Sequence, residues 1–334
     1  MPLSDPRFLA LNAWLNHIFD NQVAPELISG DASFRRYFRV RHGDESFIVM
    51  DSPPKLIKVM PFVKLANALR GKGVDVPQVI EINAEEGFLL LSDLGDMQLL
   101  SVLTIDNVDK YYGQALTLLN RVASVMDDGE TALPLYDDEF VKRELDIFTD
   151  WLINHHLNIE VDATTRTMLD GVYTLLINNA AQQPKVGMHR DYHSRNLMLD
   201  NEKLSVIDFQ DAVIGPVTYD AVSLLRDCYI RWPEELVERL MLQHYEQQLE
   251  SGVIDKGLSV ATYRRWFDLM GLQRHIKAAG IFARLNYRDN KPAYMNDIPL
   301  TLEYIQDVSG RYPELSSFAH WIESLIIPGF KEKL

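Results

Sequence analysis

The stretch His189-Arg190-Asp191-Tyr192-His193-Ser194-Arg195-Asn196 decides the fold class, together with Val206-Ile207-Asp208-Phe209, which follows a short apolar run. The spacing of Asp191 and Asn196 lets one tight loop present a carboxylate and an amide oxygen on the same side. Asp208 adds a third oxygen, of the hard type that Mg²⁺ prefers. Metal-assisted phosphoryl transfer uses such groups to orient the attacking hydroxyl and to hold the metal. The stretch therefore predicts a kinase-like active site.

A His-x-Asp sequence alone is common, and its simplest interpretation is a turn in which Asp191 caps a backbone segment. The whole set of residues, in order on a strand-loop-strand-loop pattern, is far rarer, and we favour the kinase-like site. We expect His189 to be a packed loop anchor rather than a catalytic base. Asp220 is expected to cap the next helix and to tie its start to the loop.

Composition limits the kind of protein. The chain has 334 residues, 47% of them apolar, which suits two lobes with a sizeable core. Its single cysteine, Cys228, excludes an intrachain disulfide and a multi-cysteine zinc site. The net charge of −15 argues against a nucleic-acid partner. Because we find neither a membrane-length apolar run nor a signal-peptide pattern, we expect a soluble, cytoplasmic protein that does not bind membranes.

The first part of the chain predicts an antiparallel sheet. An amphipathic helix is expected over 6–19, a second helix over 58–71, and strands over 26–29, 37–41, 46–50, 76–82 and 87–91. The turn before the second strand carries Ser33, Phe34, Arg35 and Arg36. Small side chains there let backbone N–H groups approach an anion, so these residues are candidates to bind nucleotide phosphates, with an ordinary turn as the alternative.

A polar break at Ser92, Asp93 and Leu94 follows the last of these strands, and we predict that it is the hinge whose backbone binds adenine. Beyond residue 99 the apolar periodicity is almost entirely helical, with helices predicted over 108–126, 139–154, 164–181 and 221–229 and a further helix with Pro233 in its first turn. We therefore predict an α+β, two-lobed protein-kinase-like fold with a small antiparallel-sheet N-lobe and a large, mostly α-helical C-lobe. The nucleotide-binding lobe is predicted to be 1–92 and the catalytic and substrate lobe 93–334.

The third strand departs from the kinase pattern. Kinases of this broad fold generally place a lysine there to pair with the α and β phosphates, whereas this chain has Met50. Either other cations replace the lysine, or the chain is a catalytically silent pseudokinase. The candidate replacements are Arg35, Arg36, Lys55 and Lys58. We favour replacement because the three oxygen-bearing residues of the predicted site are all present.

Basic residues are concentrated on a long predicted helix over 266–287, which is unusual in so acidic a chain. Its polar residues include Gln273, Arg274, His275, Lys277 and Arg284, and Arg288 follows directly. Two interpretations stay open: a solvated, ion-paired face, or a surface that binds an anionic substrate or steers a phosphate.

The chain resembles the aminoglycoside phosphotransferase and choline kinase superfamily over nearly its whole length. Within it, the resemblance extends to the bacterial cell-wall-recycling kinases that phosphorylate the anomeric hydroxyl of N-acetylmuramate and N-acetylglucosamine. The segments that carry it are 31–37, 50–54, 189–196, 207–212, 219–227, 271–275 and 280–285. The absence of the strand lysine is shared with this subgroup.

The resemblance implies ATP and Mg²⁺ as cofactors, Asp191 as the catalytic base, and Asn196 with Asp208 as metal ligands. It also implies an amino-sugar substrate, phosphorylated at C1 in a cytosolic step of peptidoglycan recycling. The candidate substrate residues in these segments are Arg195, Gln210, Arg274 and Arg284. A small-molecule kinase of the aminoglycoside or choline type and a silent nucleotide-binding module remain as alternatives. The sequence gives no oligomeric state.

Overall fold

The computed structural model describes residues 5–30 and 34–333. Its helices and strands are α1 (Pro6–Ile18), β1 (Glu26–Gly30), β2 (Arg36–His42), β3 (Glu45–Asp51), α2 (Met60–Gly71), β4 (Val79–Asn83), β5 (Phe88–Ser92), α3 (Val108–Ala123), α4 (Asp138–Ile147), α5 (Ala163–Gln182), β6 (Lys185–Met188), β7 (Leu197–Asp200), β8 (Lys203–Val206), β9 (Val213–Pro216), α6 (Tyr219–Leu225), α7 (Glu234–Glu250), α8 (Val260–Asp289), α9 (Ile298–Ser309), α10 (Ser316–Trp321) and α11 (Ile327–Lys331). A π-helical segment, Phe148–His156, continues α4.

The chain divides into two compact units. The sheet unit comprises the residues up to Gln98 together with Asp127–Ala132 and Leu197–Gln210, and the helical unit comprises Leu99–Met126, Leu133–Asn196 and the residues from Asp211 onward. Within the described ranges, no helix is both long and apolar enough to cross a membrane. The functional division into lobes 1–92 and 93–334 stays a prediction.

The sheet unit is built on antiparallel strands in the order β1-β2-β3-β5-β4. Helix α1 begins at Asp5, whose Oδ1 accepts a hydrogen bond of 2.7 Å from the Phe8 N–H, and Pro6 follows in the first turn. Its buried residues Leu11 and Leu15 pack with Phe38 and other apolar side chains of the sheet. The predicted antiparallel N-terminal sheet and helical C-terminal lobe are confirmed.

The helical unit is organised around α8, which spans 30 residues and packs against α4, α5, α6 and α9. The helix starts at Ser259, whose hydroxyl accepts from the Thr262 N–H, and ends at Asn290 in the left-handed conformation, with φ of 54°. A Cβ added at Gly280 would lie 2.5 Å from the Phe148 nitrogen and 2.6 Å from the Ile147 carbonyl carbon. The missing side chain therefore lets α8 approach the junction of α4 and the π-helical segment.

Some predicted helix ends were wrong. The helix expected over 221–229 ends at Leu225, because the Asp227 carboxylate accepts a hydrogen bond of 3.1 Å from the Tyr229 N–H and holds the chain outside a helix. Pro233, expected in the first turn of the next helix, is the residue that precedes it. Both errors concern local side-chain and backbone geometry that apolar periodicity does not encode.

We expect Gly280→Ala to lower the free energy of unfolding by roughly 1–3 kcal/mol, because the new methyl group meets backbone atoms that cannot rotate away. The matched control is Gly171→Ala in α5, where the added Cβ meets no described atom within 4 Å apart from the adjacent backbone of its own helix. That variant should gain about 0.5–1 kcal/mol of helix stability. Urea denaturation followed by circular dichroism measures both, and equal stability of the two variants would contradict the close approach.

Candidate active site

The loop that carries Asp191 is anchored at its start by Asp220. The two oxygens of this buried carboxylate accept hydrogen bonds from the His189 N–H, at 2.6 Å, and the Arg190 N–H, at 3.0 Å. Burial raises the pKa of Asp220 to about 6. Asp220 lies inside the first turn of α6, and the N-cap is Thr218, so the predicted cap was wrong. The predicted tie between this helix and the loop is confirmed.

Asp227 anchors the other half of the loop. It is fully buried, and its Oδ2 accepts from the Ser194 N–H at 3.0 Å and from the Ser194 hydroxyl at 2.5 Å. Between the anchors, Arg190 adopts a φ of 78°, a left-handed conformation that costs energy for a residue with a side chain. The carboxylates therefore hold a strained loop in one conformation.

Inside the loop, the Asn196 side chain is oriented by the backbone. Its Nδ2 donates a hydrogen bond of 2.9 Å to the Asp191 carbonyl oxygen, and the His193 N–H donates to the same oxygen at 3.0 Å. Because the NH₂ group is used in this way, the amide oxygen is the atom of Asn196 that suits a hard cation.

The Asp191 carboxylate, in contrast, accepts no hydrogen bond from any residue in the described ranges, and it lines a cavity of about 190 Å³. Burial by itself raises the pKa of this carboxyl, but the charges of Lys277, Arg190 and Arg274, together with His193, outweigh that effect and hold the pKa below its usual range. Asp191 is therefore ionised at neutral pH and available to a hydroxyl group that enters the cavity.

Glu144 balances the positive charge around this site. Its Oε1 lies 2.7 Å from Arg190 Nη2 and 3.4 Å from Lys277 Nζ, and its Oε2 accepts a hydrogen bond of 2.5 Å from the Tyr136 hydroxyl. Burial by itself lowers the pKa of Lys277, but Glu144, with Tyr219 and Asp191, holds it above its usual range. Lys277 therefore stays charged inside the protein.

The sequence did not identify Glu144 as a site residue. The helix that contains it was predicted, but its role depends on partners 46 residues away, at Arg190, and 133 residues away, at Lys277. The signal that could have found it is its position on the apolar face of α4, between Val141 and Leu145.

The cavity beside Asp191 lies within the helical unit and has walls of mixed chemistry. Asp191, His193, Arg274 and Lys277 supply polar and charged groups, while Tyr229 and Phe282 are among its aromatic residues. The Tyr229 ring packs edge-on against His193, with 5.2 Å between ring centroids.

The Tyr229 ring also places Arg195, the first of the predicted substrate residues. The Arg195 guanidinium carbon lies 3.5 Å from the ring centroid of Tyr229. Arg195 therefore packs against a wall residue of the cavity through this cation–π contact.

The basic helix predicted over 266–287 is mostly not a solvated face. Four of its polar residues are buried in the helical unit, namely Gln273, Arg274, His275 and Lys277. Arg284 is half-buried, and burial, together with the charge of Arg288, lowers its pKa. The solvated interpretation holds for Arg288, which is 52% exposed and pairs with Asp289.

In the sheet unit, Ser33 lies outside the described residues and Phe34 is exposed. Arg36 binds carboxylates within the unit: its Nε and Nη2 contact Asp51 at 2.8 and 2.5 Å, and its Nη1 contacts Asp5. Met50, which replaces the strand lysine, is fully buried in β3.

The predicted hinge residues are also bound within the sheet unit. Asp93 accepts hydrogen bonds from Arg39 Nε at 2.6 Å and from the Ser46 hydroxyl at 2.6 Å. Burial by itself raises the pKa of Asp93, but these bonds hold it below its usual range. The Ser92 hydroxyl accepts from the Gln78 N–H at 2.8 Å. These contacts hold the side chains of Ser92 and Asp93, and binding of adenine to the backbone of the segment stays a prediction.

Asp208 follows β8 in the sheet unit. The Val206 N–H donates to the Asp75 carbonyl at 2.7 Å, and the Phe209 ring packs on Phe62 with 4.8 Å between centroids. Between these contacts Asp208 has a φ of 63°, in the left-handed region, and its Oδ1 accepts a hydrogen bond of 2.7 Å from Gln210 Nε2. Gln210, a predicted substrate residue, therefore orients Asp208.

An antiparallel sheet unit and a helical unit whose anchored loop carries Asp191 and Asn196 define a phosphotransferase with a kinase-like fold. A model of the phosphotransferase enzyme family matches residues 25–253, and the chain belongs to this family. The chain is 42% identical over 332 residues to the N-acetylmuramate/N-acetylglucosamine kinase of Pseudomonas aeruginosa. The alignment covers 96% of this chain and 97% of that protein. The protein of the same name from Neisseria meningitidis serogroup B is 38% identical over 316 residues, covering 93% of each chain.

Solved structures share the fold at low sequence identity. The ethanolamine kinase of Plasmodium vivax superposes with a TM-score of 0.64 at 11% identity, covering 93% of this chain and 89% of that one. The GDP complex of aminoglycoside 2'-phosphotransferase-IIIa superposes with a TM-score of 0.62 at 16% identity. The superposition covers 92% of this chain and 100% of that one. The predicted fold class and family resemblance are confirmed, and the roles of the individual site residues stay predictions.

We expect Glu144→Gln to lower the free energy of unfolding by roughly 3 kcal/mol at pH 7, because Arg190 and Lys277 lose a buried counter-ion. Asp109→Asn, which removes an exposed ion pair with Arg239, is the control and should cost less than about 1 kcal/mol. Burial by itself raises the pKa of Glu144, but Lys277 and Arg190 hold it below the ordinary value of 4.5.

The stability that Glu144 contributes is therefore present above that ordinary value and is lost as the pH falls through the lower folded-state pKa. Urea denaturation at a series of pH values should show the difference between wild type and Glu144→Gln shrinking in acid. A difference that grows as the pH falls would show that the Glu144 carboxylate is not stabilised by its cations.

Proposed function

We propose that this protein is an ATP-dependent kinase that transfers the γ-phosphoryl group to the anomeric C1 hydroxyl of N-acetylmuramate, N-acetylglucosamine or both. The observation that carries the proposal is the Asp191 carboxylate, ionised and without a hydrogen-bond partner among the described residues, at the wall of a cavity. The similarity to N-acetylmuramate/N-acetylglucosamine kinases over nearly the whole chain supports the amino-sugar acceptor.

Asp191 is the proposed catalytic base. The acceptor hydroxyl donates a hydrogen bond to the carboxylate, the bond from O1 to the γ-phosphorus forms, the bond from that phosphorus to ADP breaks, and the proton passes to Asp191. In a loose transition state the hydroxyl proton leaves late, so a carboxylate with a low pKa is a sufficient base. The anomeric hydroxyl is more acidic than an ordinary alcohol, which makes this transfer easier.

Asn196 and Asp208 are the proposed Mg²⁺ ligands. The Asn196 side chain is held by the Asp191 carbonyl and the Asp208 side chain by Gln210, and these contacts present an amide oxygen and a carboxylate as hard donors. When bound, Mg²⁺ neutralises the charge of the nucleotide phosphates.

The backbone of Ser92, Asp93 and Leu94 is the proposed adenine contact. At the start of β2, we propose Arg35 or Arg36 for contact with phosphate. The guanidinium of Arg36 already binds Asp5 and Asp51, and a phosphate would have to compete with both carboxylates. Ser33 and Phe34 remain candidates for backbone contacts in the turn before β2.

The reaction is proposed to take place in the cytoplasm, where ATP is available, and to return salvaged amino sugars to peptidoglycan precursors. A kinase for a cationic antibiotic or for choline is the second candidate, and the net charge of −15 favours it. The buried cations Arg274 and Lys277 in the cavity wall disfavour a cationic acceptor. A pseudokinase is disfavoured by the intact set of Asp191, Asn196 and Asp208.

Asp191→Asn should lower kcat by ~10²-fold or more, because the amide keeps the shape of the carboxylate but cannot take the proton. Nucleotide affinity, measured by calorimetry, should change little. Asp170→Asn, the same substitution at an exposed position of α5, is the matched control and should behave as wild type. Turnover of Asp191→Asn at the wild-type rate would rule out Asp191 as the base.

The C1 acceptor is tested with N-acetylglucosamine and its methyl glycoside, in which O1 is blocked. We expect phosphorylation of the free sugar alone, accompanied by loss of its reducing end, because O1 is the nucleophile. A coupled assay for ADP and a reducing-sugar assay measure the two effects. Equal phosphorylation of the glycoside would show that another hydroxyl accepts the phosphate, and phosphorylation of an aminoglycoside alone would favour the second candidate.

A further inference from the structure

Arg274 is a buried cation that lacks a close counter-ion. The residue is 5% exposed, and its Nη1 donates to Cys228 Sγ at 3.3 Å. Burial raises the pKa of Cys228, so the thiol is neutral and brings no compensating charge. No carboxylate in the described ranges lies within 4.0 Å of the guanidinium, and Asp227 and Asp191 act on it at longer range. A buried guanidinium without a counter-ion lowers the stability of the fold unless a ligand supplies an anion.

A second buried residue lines the same cavity and has a ring nitrogen without a hydrogen-bond partner in the part of the chain that the structure describes. His193 is 8% exposed, and its Nδ1 has no hydrogen-bond partner among the described residues. Both His193 and Arg274 line the cavity that Asp191 lines. Buried polar groups are nearly always hydrogen-bonded in proteins, so these neighbouring groups indicate that a polar part of a ligand binds here.

The other basic residues of this helix are less suitable. Lys277 also lines the cavity, but Glu144 already balances its charge. Arg288 is paired with Asp289 on the surface. Arg284 is half-buried and lies outside the cavity wall. Arg274 is therefore the basic residue of this helix that is best placed to bind an anionic group of a ligand.

We propose that Arg274 binds a carboxylate of the acceptor, with His193 as a neighbouring hydrogen-bond partner, and that this pair makes N-acetylmuramate the preferred sugar. N-acetylmuramate carries a lactyl carboxylate, and N-acetylglucosamine has a hydroxyl in its place. The cavity of about 190 Å³ is smaller than the 300–1,000 Å³ of pockets that enclose a whole drug-sized ligand, so it takes one part of the sugar. The inference rests on the proposed function.

The test compares kcat/KM for N-acetylmuramate and N-acetylglucosamine in the wild type, Arg274→Gln, Arg274→Lys and Arg265→Gln. Arg274→Gln should lose ~10- to 100-fold with N-acetylmuramate, since a charge-assisted pair is removed, and less than ~3-fold with N-acetylglucosamine. Arg274→Lys keeps the positive charge but cannot form the paired N–H hydrogen bonds of a guanidinium with a carboxylate. This variant should recover part of the loss of kcat/KM with N-acetylmuramate. Arg265→Gln, on the same helix but paired with Glu314 at the surface, should change neither value.

Equal losses with both sugars in Arg274→Gln would overturn the inference while leaving the proposed function in place. A wild-type enzyme that phosphorylates neither sugar would overturn the proposed function and the inference with it. Because Arg274→Gln can fail to fold, the wild type is also assayed with N-acetylmuramate methyl ester. We expect the neutral ester to react with a kcat/KM at least ~10-fold lower than the acid. An ester that reacts as well as the acid would overturn the inference without any variant.

Discussion

The ion pairs of Glu144 with Arg190 and Lys277 are the interaction on which the site depends. Arg190 and Lys277 help to keep the Asp191 carboxylate ionised although it is partly buried, and these two largely buried cations need an acid to balance their charge. Glu144 supplies that balance from α4 and does not line the cavity. The base therefore owes its ionised state to a residue that need not touch the acceptor.

The helical unit also fixes the strained loop that carries Asp191 in one conformation. The N–H groups of His189, Arg190 and Ser194 donate to carboxylates that stand on or just after α6. α6 in turn packs against α8, the helix that contributes Arg274 and Lys277 to the cavity. The loop and the cationic wall of the cavity are thus positioned by one pair of helices. This pair fixes the position of Asp191 relative to Arg274 and Lys277.

The sequence predicted the parts of this arrangement that are local. The spacing of Asp191 and Asn196, the strands of the sheet unit and most helices follow from short-range patterns, and the structure bears out the elements. It did not predict which basic residues of α8 are buried, because that helix is surrounded by other helices and its apolar pattern has no single face. The counter-ion Glu144 was missed because the pairing joins distant segments. The end of α6 was missed because Asp227 captures a backbone N–H.

Met50 has a consequence for the evolution of the sheet unit. In protein kinases the lysine of the third strand pairs with a glutamate of the helix that follows, whereas here the strand has a fully buried methionine and α2 has the sequence MPFVKLANALRG, without an acidic residue. A lone lysine at position 50 would bury an unpaired ammonium group, and a lone glutamate on α2 would find no cation at position 50. Each single step is therefore unfavourable. Such an ion pair can therefore arise only if both charges are acquired together, so the apolar residue at position 50 is difficult to replace by single point mutations.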